Sequence, residues 1–253
     1  MAVSEETLIM AAAWFFGAFV NGLTGMGGML IALPLITLFV VSKSAIVISL
    51  FPGFAAGFLT LLVFGRFIHF REALEFWIAA LPGMVLGVLT LKLVDMEVLQ
   101  IILAAIITTH IAIQLVQDWL GTCMAPHISL RLVLGFAAGF FTGSIGINGP
   151  IMAIYASLMC MDENSARGFF TSAVPIGIVN IALVAAGGLV SMDTLAAEAI
   201  VLPATVAGFL CALPFAKKIR KKSFHAALLL LLCVTAMTLF YRSAQYVKNL
   251  LFS

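Results

Sequence analysis

Charge in this chain is confined to short clusters, and between them the sequence stays apolar over long distances. Leu8–Val41, Ser44–Gly65, Val98–Gln117, Leu132–Met161, Gly168–Met192, Ala199–Ala216 and Ser223–Tyr241 contain no Asp, Glu, Lys or Arg, and Phe76–Leu91 is a shorter run of the same kind. A helix that crosses a bilayer takes ~20 apolar residues for a hydrocarbon core of ~30 Å. The runs match that length, approach it or exceed it. Their apolar residues are continuous rather than alternating, which is the pattern of membrane helices and not of a membrane β-barrel. The expectation is an all-α polytopic membrane protein.

Two runs are too long for one span. Leu8–Val41 has 34 residues and Leu132–Met161 has 30; as one helix the first would extend about 51 Å. Each holds a glycine-rich segment: Gly22-Leu23-Thr24-Gly25-Met26-Gly27-Gly28 in the first, and Gly143-Ser144-Ile145-Gly146-Ile147-Asn148-Gly149 in the second, 121 positions later. Glycine costs about 1 kcal/mol relative to alanine inside a helix, so both segments read as breaks near the middle of their runs. Irregular backbone at membrane depth is tolerated only where it is buried in protein or lines a cavity. A re-entrant hairpin fits each run better than a single crossing.

The breaks belong to a duplication. Leu81-Pro82 and Gly87 recur as Leu202-Pro203 and Gly208 at the same offset of 121, and Ser49 with Pro52 recurs as Ser172 with Pro175 at an offset of 123. The halves are taken as 1–120 and 121–253, joined by the polar stretch Asp118–Arg131. If each long run crossed once, the halves would point the same way and equivalent loops should carry similar charge. They do not: Arg66–Glu72 holds two Arg, whereas its partner Ser191–Glu198 holds Asp193, Glu198 and no base. If each long run enters and returns, the halves are inverted. Arg66, Arg71, Arg131, Arg167 and the five bases of Lys217–Lys222 then collect on one side. The positive-inside rule makes that side cytoplasmic and leaves both termini outside. The expected architecture is two inverted repeats, each a broken, re-entrant helical hairpin plus three spanning helices, a recurring plan for transporters of the inner (plasma) membrane.

Composition removes other classes. The chain is 63% hydrophobic and 9% charged, against roughly 25% charged in soluble domains. No basic arm suggests nucleic acid, and no cofactor or metal motif is present. Cys123, Cys160, Cys211 and Cys233 are scattered and read as inert small apolar residues. Neither glycine segment is followed by the Lys-Ser/Thr of a phosphate loop. The segments could serve close helix packing or an anion site. In the second reading, each helix that restarts after a break presents free N–H groups and the positive end of its dipole. No basic residue lies inside the long runs, so a buried small anion needs such donors. The candidate substrate-binding residues are Asn21, Thr24, Gly25, Gly27, Gly28, Ser49, Thr142, Ser144, Gly146, Asn148, Gly149 and Ser172. Asn180 reads as facing the bundle interior. His110 is the candidate for carrying a coupled proton. Trp14, Trp77 and Trp119 read as anchors at the membrane interface or lipid face. A homo-oligomer is compatible with this pattern.

At the two glycine segments the chain resembles the TauE/SafE family of sulfite exporters, whose members carry Gly-x-x-Gly-x-Gly-Gly followed by a Pro in each half. Gly22–Gly28 with Pro34 matches; the second copy departs, with Asn148 in place of a Gly, Pro150 early and Tyr155 where the later Pro would stand. The resemblance implies a non-enzymatic secondary transporter that exports sulfite, organosulfonates or related small sulfur-containing anions. Other small organic anions, such as carboxylates, or an anion channel are the alternatives.

Overall fold

A computed structural model describes residues 5–25, 27–40, 42–120 and 128–215, with side chains left undescribed at 110, 111, 113–120 and 163. Among the described residues there are ten α-helices and no strand. The first half contributes α1 (Glu5–Thr24), α2 (Gly28–Phe39), α3 (Lys43–Phe64), α4 (Phe70–Leu93) and α5 (Met96–Leu120). The second contributes α6 (Ile128–Ile145), α7 (Gly149–Leu158), α8 (Glu163–Thr171), α9 (Val174–Ala186) and α10 (Met192–Ala212). Among the described residues six segments are long and apolar enough to cross a membrane: α1, α3 with the following turn, α4, α6, α8–α9 together, and α10. The final apolar run, Ser223–Tyr241, and the basic cluster Lys217–Lys222 lie outside the described residues. The chain is an all-helical multi-pass membrane protein.

Both long runs are interrupted near their middles, at 25–27 and 146–148, and the flanking helices are unequal because α1 and α6 begin before the uncharged runs do. The first divides into 20 and 12 helical residues and the second into 18 and 10. The chain then doubles back. A methyl group placed on Gly17 would meet Gly28 and Ala32, and Gly28 lies against Asn21, so α2 returns antiparallel along α1. In the second half Arg131 at the start of α6 donates through Nε to the Tyr155 hydroxyl of α7 (3.0 Å), so α7 likewise returns along α6.

Lipid tails are as apolar as leucine, so helices in a bilayer associate through close packing and interhelical hydrogen bonds rather than hydrophobic collapse. The closest seam lies between α4 and α6. Gly135, Gly139 and Gly143 of α6 face Phe76, Ala80 and Met84 of α4, while Gly83 and Gly87 of α4 face Phe136 and Phe140 of α6. The four-residue spacing puts each set on one helix face. Any Cβ there would strike main chain of the facing helix. The pairs increase together in number, so α4 and α6 run parallel. α10 runs parallel to α1 in the same manner: Ala197 and Val201 pack with Met10, Ala11 and Trp14, Gly208 faces Phe15, and Gly22 faces Phe209 and Ala212.

The interior holds an aromatic group of Phe76, Trp77, Tyr155 and Phe169, with centroid separations of 5.0–5.5 Å. Arg131, which is buried, bonds Glu75 as well as Tyr155 and so ties α4, α6 and α7 together at one end. Leu62, Leu89, Val133 and Ile178 face outward, as a lipid-facing surface requires.

Several expectations need correcting. Phe70, Arg71 and Glu72 are helical, so the loop before α4 is shorter than charge alone suggests. Trp14 and Trp77 are buried rather than interfacial; their indoles donate inward, to Ser49 Oγ (3.1 Å) and Ser172 Oγ (2.8 Å) respectively. Glu198 is not in a loop but buried within α10. Cys160, with φ 46°, is disulfide-bonded and is not an inert filler. Asp162 caps α8. Hydrogen bonds from the Ser165 hydroxyl and amide and from the Asn164 amide hold its exposed carboxyl below the ordinary range.

Candidate functional site

The two breaks are built by local backbone chemistry. α1 stops because Gly25 enters the left-handed region (φ 84°), with its N–H on the Asn21 carbonyl at 2.7 Å. α6 stops the same way: Gly146 has φ 75° and its N–H reaches the Thr142 carbonyl at 2.9 Å. This is the left-handed C-terminal cap that glycine adopts without steric penalty. The stops are 121 residues apart and share one hydrogen-bond pattern.

The restarts differ. α2 begins after Gly27, itself left-handed at φ 90°, and its first internal bond runs from Ile31 N to the Gly27 carbonyl. The amides of Gly28, Met29 and Leu30 therefore have no partner within the helix, and no side chain caps them. α7 begins after Asn148, whose φ of −115° is open to any residue, and its first internal bond runs from Met152 N to the Asn148 carbonyl. Pro150 occupies the first turn, where proline fits but supplies no N–H. Only Gly149 and Ile151 offer free amides there. Again no side chain caps the helix.

Both restarts open on one cavity of about 140 Å³, space for several waters or one small anion. Of the sequence candidates, Asn21, Gly25, Gly27 and Gly28 from the first half and Thr142, Gly146, Asn148 and Gly149 from the second line it together. Four others do not. Thr24 turns back to the Val20 carbonyl, and Ser144 bonds the Phe140 carbonyl in the α4–α6 seam. Ser49 and Ser172 accept from Trp14 and Trp77. The side chain of His110 is outside the described set. Gly22 and Gly143 sit within helices and serve packing, against α10 and α4. The glycine segments therefore have a double role: their first glycines pack and their later ones break the helix.

Sequence reading missed Trp14, Thr60 and Thr171 as lining residues and left Asn180 outside the site. Two asparagines brace the walls in a mirrored manner. Asn21 on α1 donates to the Ala56 carbonyl (3.2 Å) and Thr60 Oγ1 (2.8 Å) on α3. Asn180 on α9 donates to the Thr142 carbonyl on α6 (3.0 Å), and its own Oδ1 is buried without a partner among the described residues. Each clamps the helix that breaks to the helix that supports it. Nothing in the periodicity of α9 distinguishes Asn180; its isolation in an apolar run is the one usable signal. Arg167 of α8 adds a fixed charge nearby. Its stem lies against Gly25 and its guanidinium stacks over Phe64, 4.9 Å from the ring centroid. A site of this kind, rich in N–H donors and close to one cation, suits a small anion.

Comparison with known proteins agrees with that chemistry. The family model described as Sulfite exporter TauE/SafE matches residues 10–239, nearly the whole chain. No curated protein and no solved structure matches it.

Proposed function

The chain belongs to the sulfite exporter TauE/SafE family, and from that premise we propose that it is a secondary transporter exporting sulfite or an organosulfonate by alternating access around the two helix breaks. The observation that carries this reading is the single cavity shared by Asn21, Gly25, Gly27 and Gly28 with Thr142, Gly146, Asn148 and Gly149. The anion is held by the free amides of α2 and α7 and by their dipoles, each worth about 0.3–1 kcal/mol and more where partly buried. Arg167 concentrates anions at the first break. Outward movement of one negative charge is favoured by ~2.3 kcal/mol per 100 mV of membrane potential, so the potential itself favours export of an anion.

Alternating access requires two halves that can exchange roles. Successive antiparallel helices make α1 and α10 point one way and α4 and α6 the other. The parallel packing of α4 on α6, and of α10 on α1, is the exchange that inverted halves 1–120 and 121–253 would make. In this reading Arg66, Arg71, Arg131, Arg167 and Lys217–Lys222 face the cytoplasm of an inner-membrane protein with both termini outside.

Counterflow in proteoliposomes tests the proposal. Vesicles loaded with unlabelled sulfite should accumulate labelled sulfite transiently, saturably, and faster than vesicles without internal sulfite. A flux that is linear in concentration and indifferent to internal sulfite would indicate a channel and end the transporter reading.

A further inference from the structure

Glu198 lies in the seventh position of α10, a helix long and apolar enough to cross the membrane. It is 5% exposed, and among the described residues neither carboxylate oxygen has a hydrogen-bond partner. Ala197 and Val201 share one buried cluster with Met10, Ala11 and Trp14 of α1 and with Ala45 and Ile48 of α3. Helical spacing puts Glu198 on the same face as Phe209, which meets Gly22 of α1. The charged groups on the helices packed against α10 do not offset it. Glu5 and Glu6 on α1 are exposed, and Lys43 on α3 gives its ammonium to the Lys92 carbonyl. Asp193, on α10 itself, is also exposed.

An acidic side chain in such a place is costly in its ionised form, which needs donors or water around both oxygens. Neither is within reach in the closed seam. A carboxylic acid fits there. Ionisable side chains inside membrane spans point to ion or proton pathways, and this one sits on the partner of the broken helix. α10 accompanies α1 down to its final turns, where Gly22 meets Ala212. A displacement of α1 that changes access to the cavity therefore also opens or closes the seam that holds Glu198.

We propose that Glu198 is the proton-binding site that couples proton movement to anion movement, an inference that rests on the transporter reading above. When the α1–α10 seam opens to water, one carboxylate oxygen takes a proton from solvent. When the seam closes, the neutral acid travels with the conformational change, and the proton is released to water when the seam next opens on the opposite side of the membrane. No bond of the anion is made or broken.

The test is sulfite flux in proteoliposomes clamped at zero membrane potential, with and without a proton gradient, for the wild type, Glu198→Gln and Glu198→Asp. Comparing proteins under one gradient cancels the titration of sulfite itself. With one proton per anion, a gradient of about one pH unit sets an accumulation ratio about tenfold beyond the sulfite-only value. Wild type and Glu198→Asp should reach it. Glu198→Gln, a fixed mimic of the neutral acid, should lose it while keeping counterflow exchange, which needs no net proton movement. Gradient-driven accumulation by Glu198→Gln equal to wild type overturns the proposal, as does wild-type exchange with no gradient-driven component. Should Glu198→Gln not fold, an unchanged pH profile of exchange in Glu198→Asp overturns it. Absence of counterflow in every protein, wild type included, would instead remove the transporter reading.

Discussion

The two helix breaks do one job with unequal means. Both stop the incoming helix with a left-handed glycine, Gly25 or Gly146, bonded to the carbonyl four residues back. There the likeness ends. The first break needs a second left-handed residue, Gly27, and opens three amides; the second passes through Asn148 at φ −115° and opens two, because Pro150 has none. The departure of the second segment from the glycine-rich pattern is thus a consequence of backbone geometry. Position 148 has no requirement for glycine, whereas position 27 has one. The surroundings differ as well. A side chain on Gly146 would run into Met29 and Leu50, while one on Gly25 would press only on the flexible stem of Arg167.

Alanine at the two stopping glycines is the sharpest way to break that comparison. Both substitutions force an L-residue into the left-handed region at about 1–2 kcal/mol. Gly146→Ala adds overpacking against Met29 and Leu50, about 1–3 kcal/mol more. Thermal or denaturant unfolding in detergent should place Gly146→Ala about 2–5 kcal/mol below wild type and Gly25→Ala only about 1–2 kcal/mol below it. Equal losses at the two positions would mean that the tighter packing around the second break contributes nothing.

The contrast also marks what could be read from residues alone. The helical class and the two interruptions were legible because they depend on composition and on glycine, whose backbone freedom is a local property. Which glycine packs and which one breaks was not legible, since the helical state of Gly22 and Gly143 is set by what faces them from distant helices: Phe209 and Ala212 for one, Met84 and Gly87 for the other. Ser49 and Ser172 looked like cavity hydroxyls for the same reason. Their indole partners come from other helices, 35 and 95 residues away in sequence. Glu198 reads as part of a charged loop wherever charge alone bounds the spans. A buried acid inside a helix violates that rule, and such a violation is where function is to be sought.

Exchanging the restarting residues tests the same asymmetry with a smaller effect. Gly27→Asn places an asparagine at φ 90°, which this residue tolerates better than most, and space around the position is open. A cost of about 1 kcal/mol is expected. Asn148→Gly removes a side chain that makes no capping bond, so it should cost only a few tenths of a kcal/mol. Unfolding measurements on the pair should therefore rank Gly27→Asn as the more damaging. The reverse order would show that Asn148 does more for the second break than its backbone angles imply.

Pro150→Ala carries the smallest change and bears most directly on the site. It restores an N–H at the second helical position of α7, matching the amide of Met29 at the equivalent place in α2. Stability should move by less than about 1 kcal/mol, because the proline sits where its ring is accommodated and its loss mainly frees the unfolded chain. The new amide joins those of Gly28, Met29, Leu30 and Gly149, whose residues line the cavity, so its gain should fall at the low end of a net hydrogen bond, about 0.7 kcal/mol. That corresponds to sulfite binding about threefold tighter, read as a lower half-saturation concentration in counterflow. Tightening of that size means that the helix ends are where the anion is held. Unchanged affinity, in a variant that folds and exchanges normally, would move the binding role away from the amides of α7 and toward Arg167 and the first break alone.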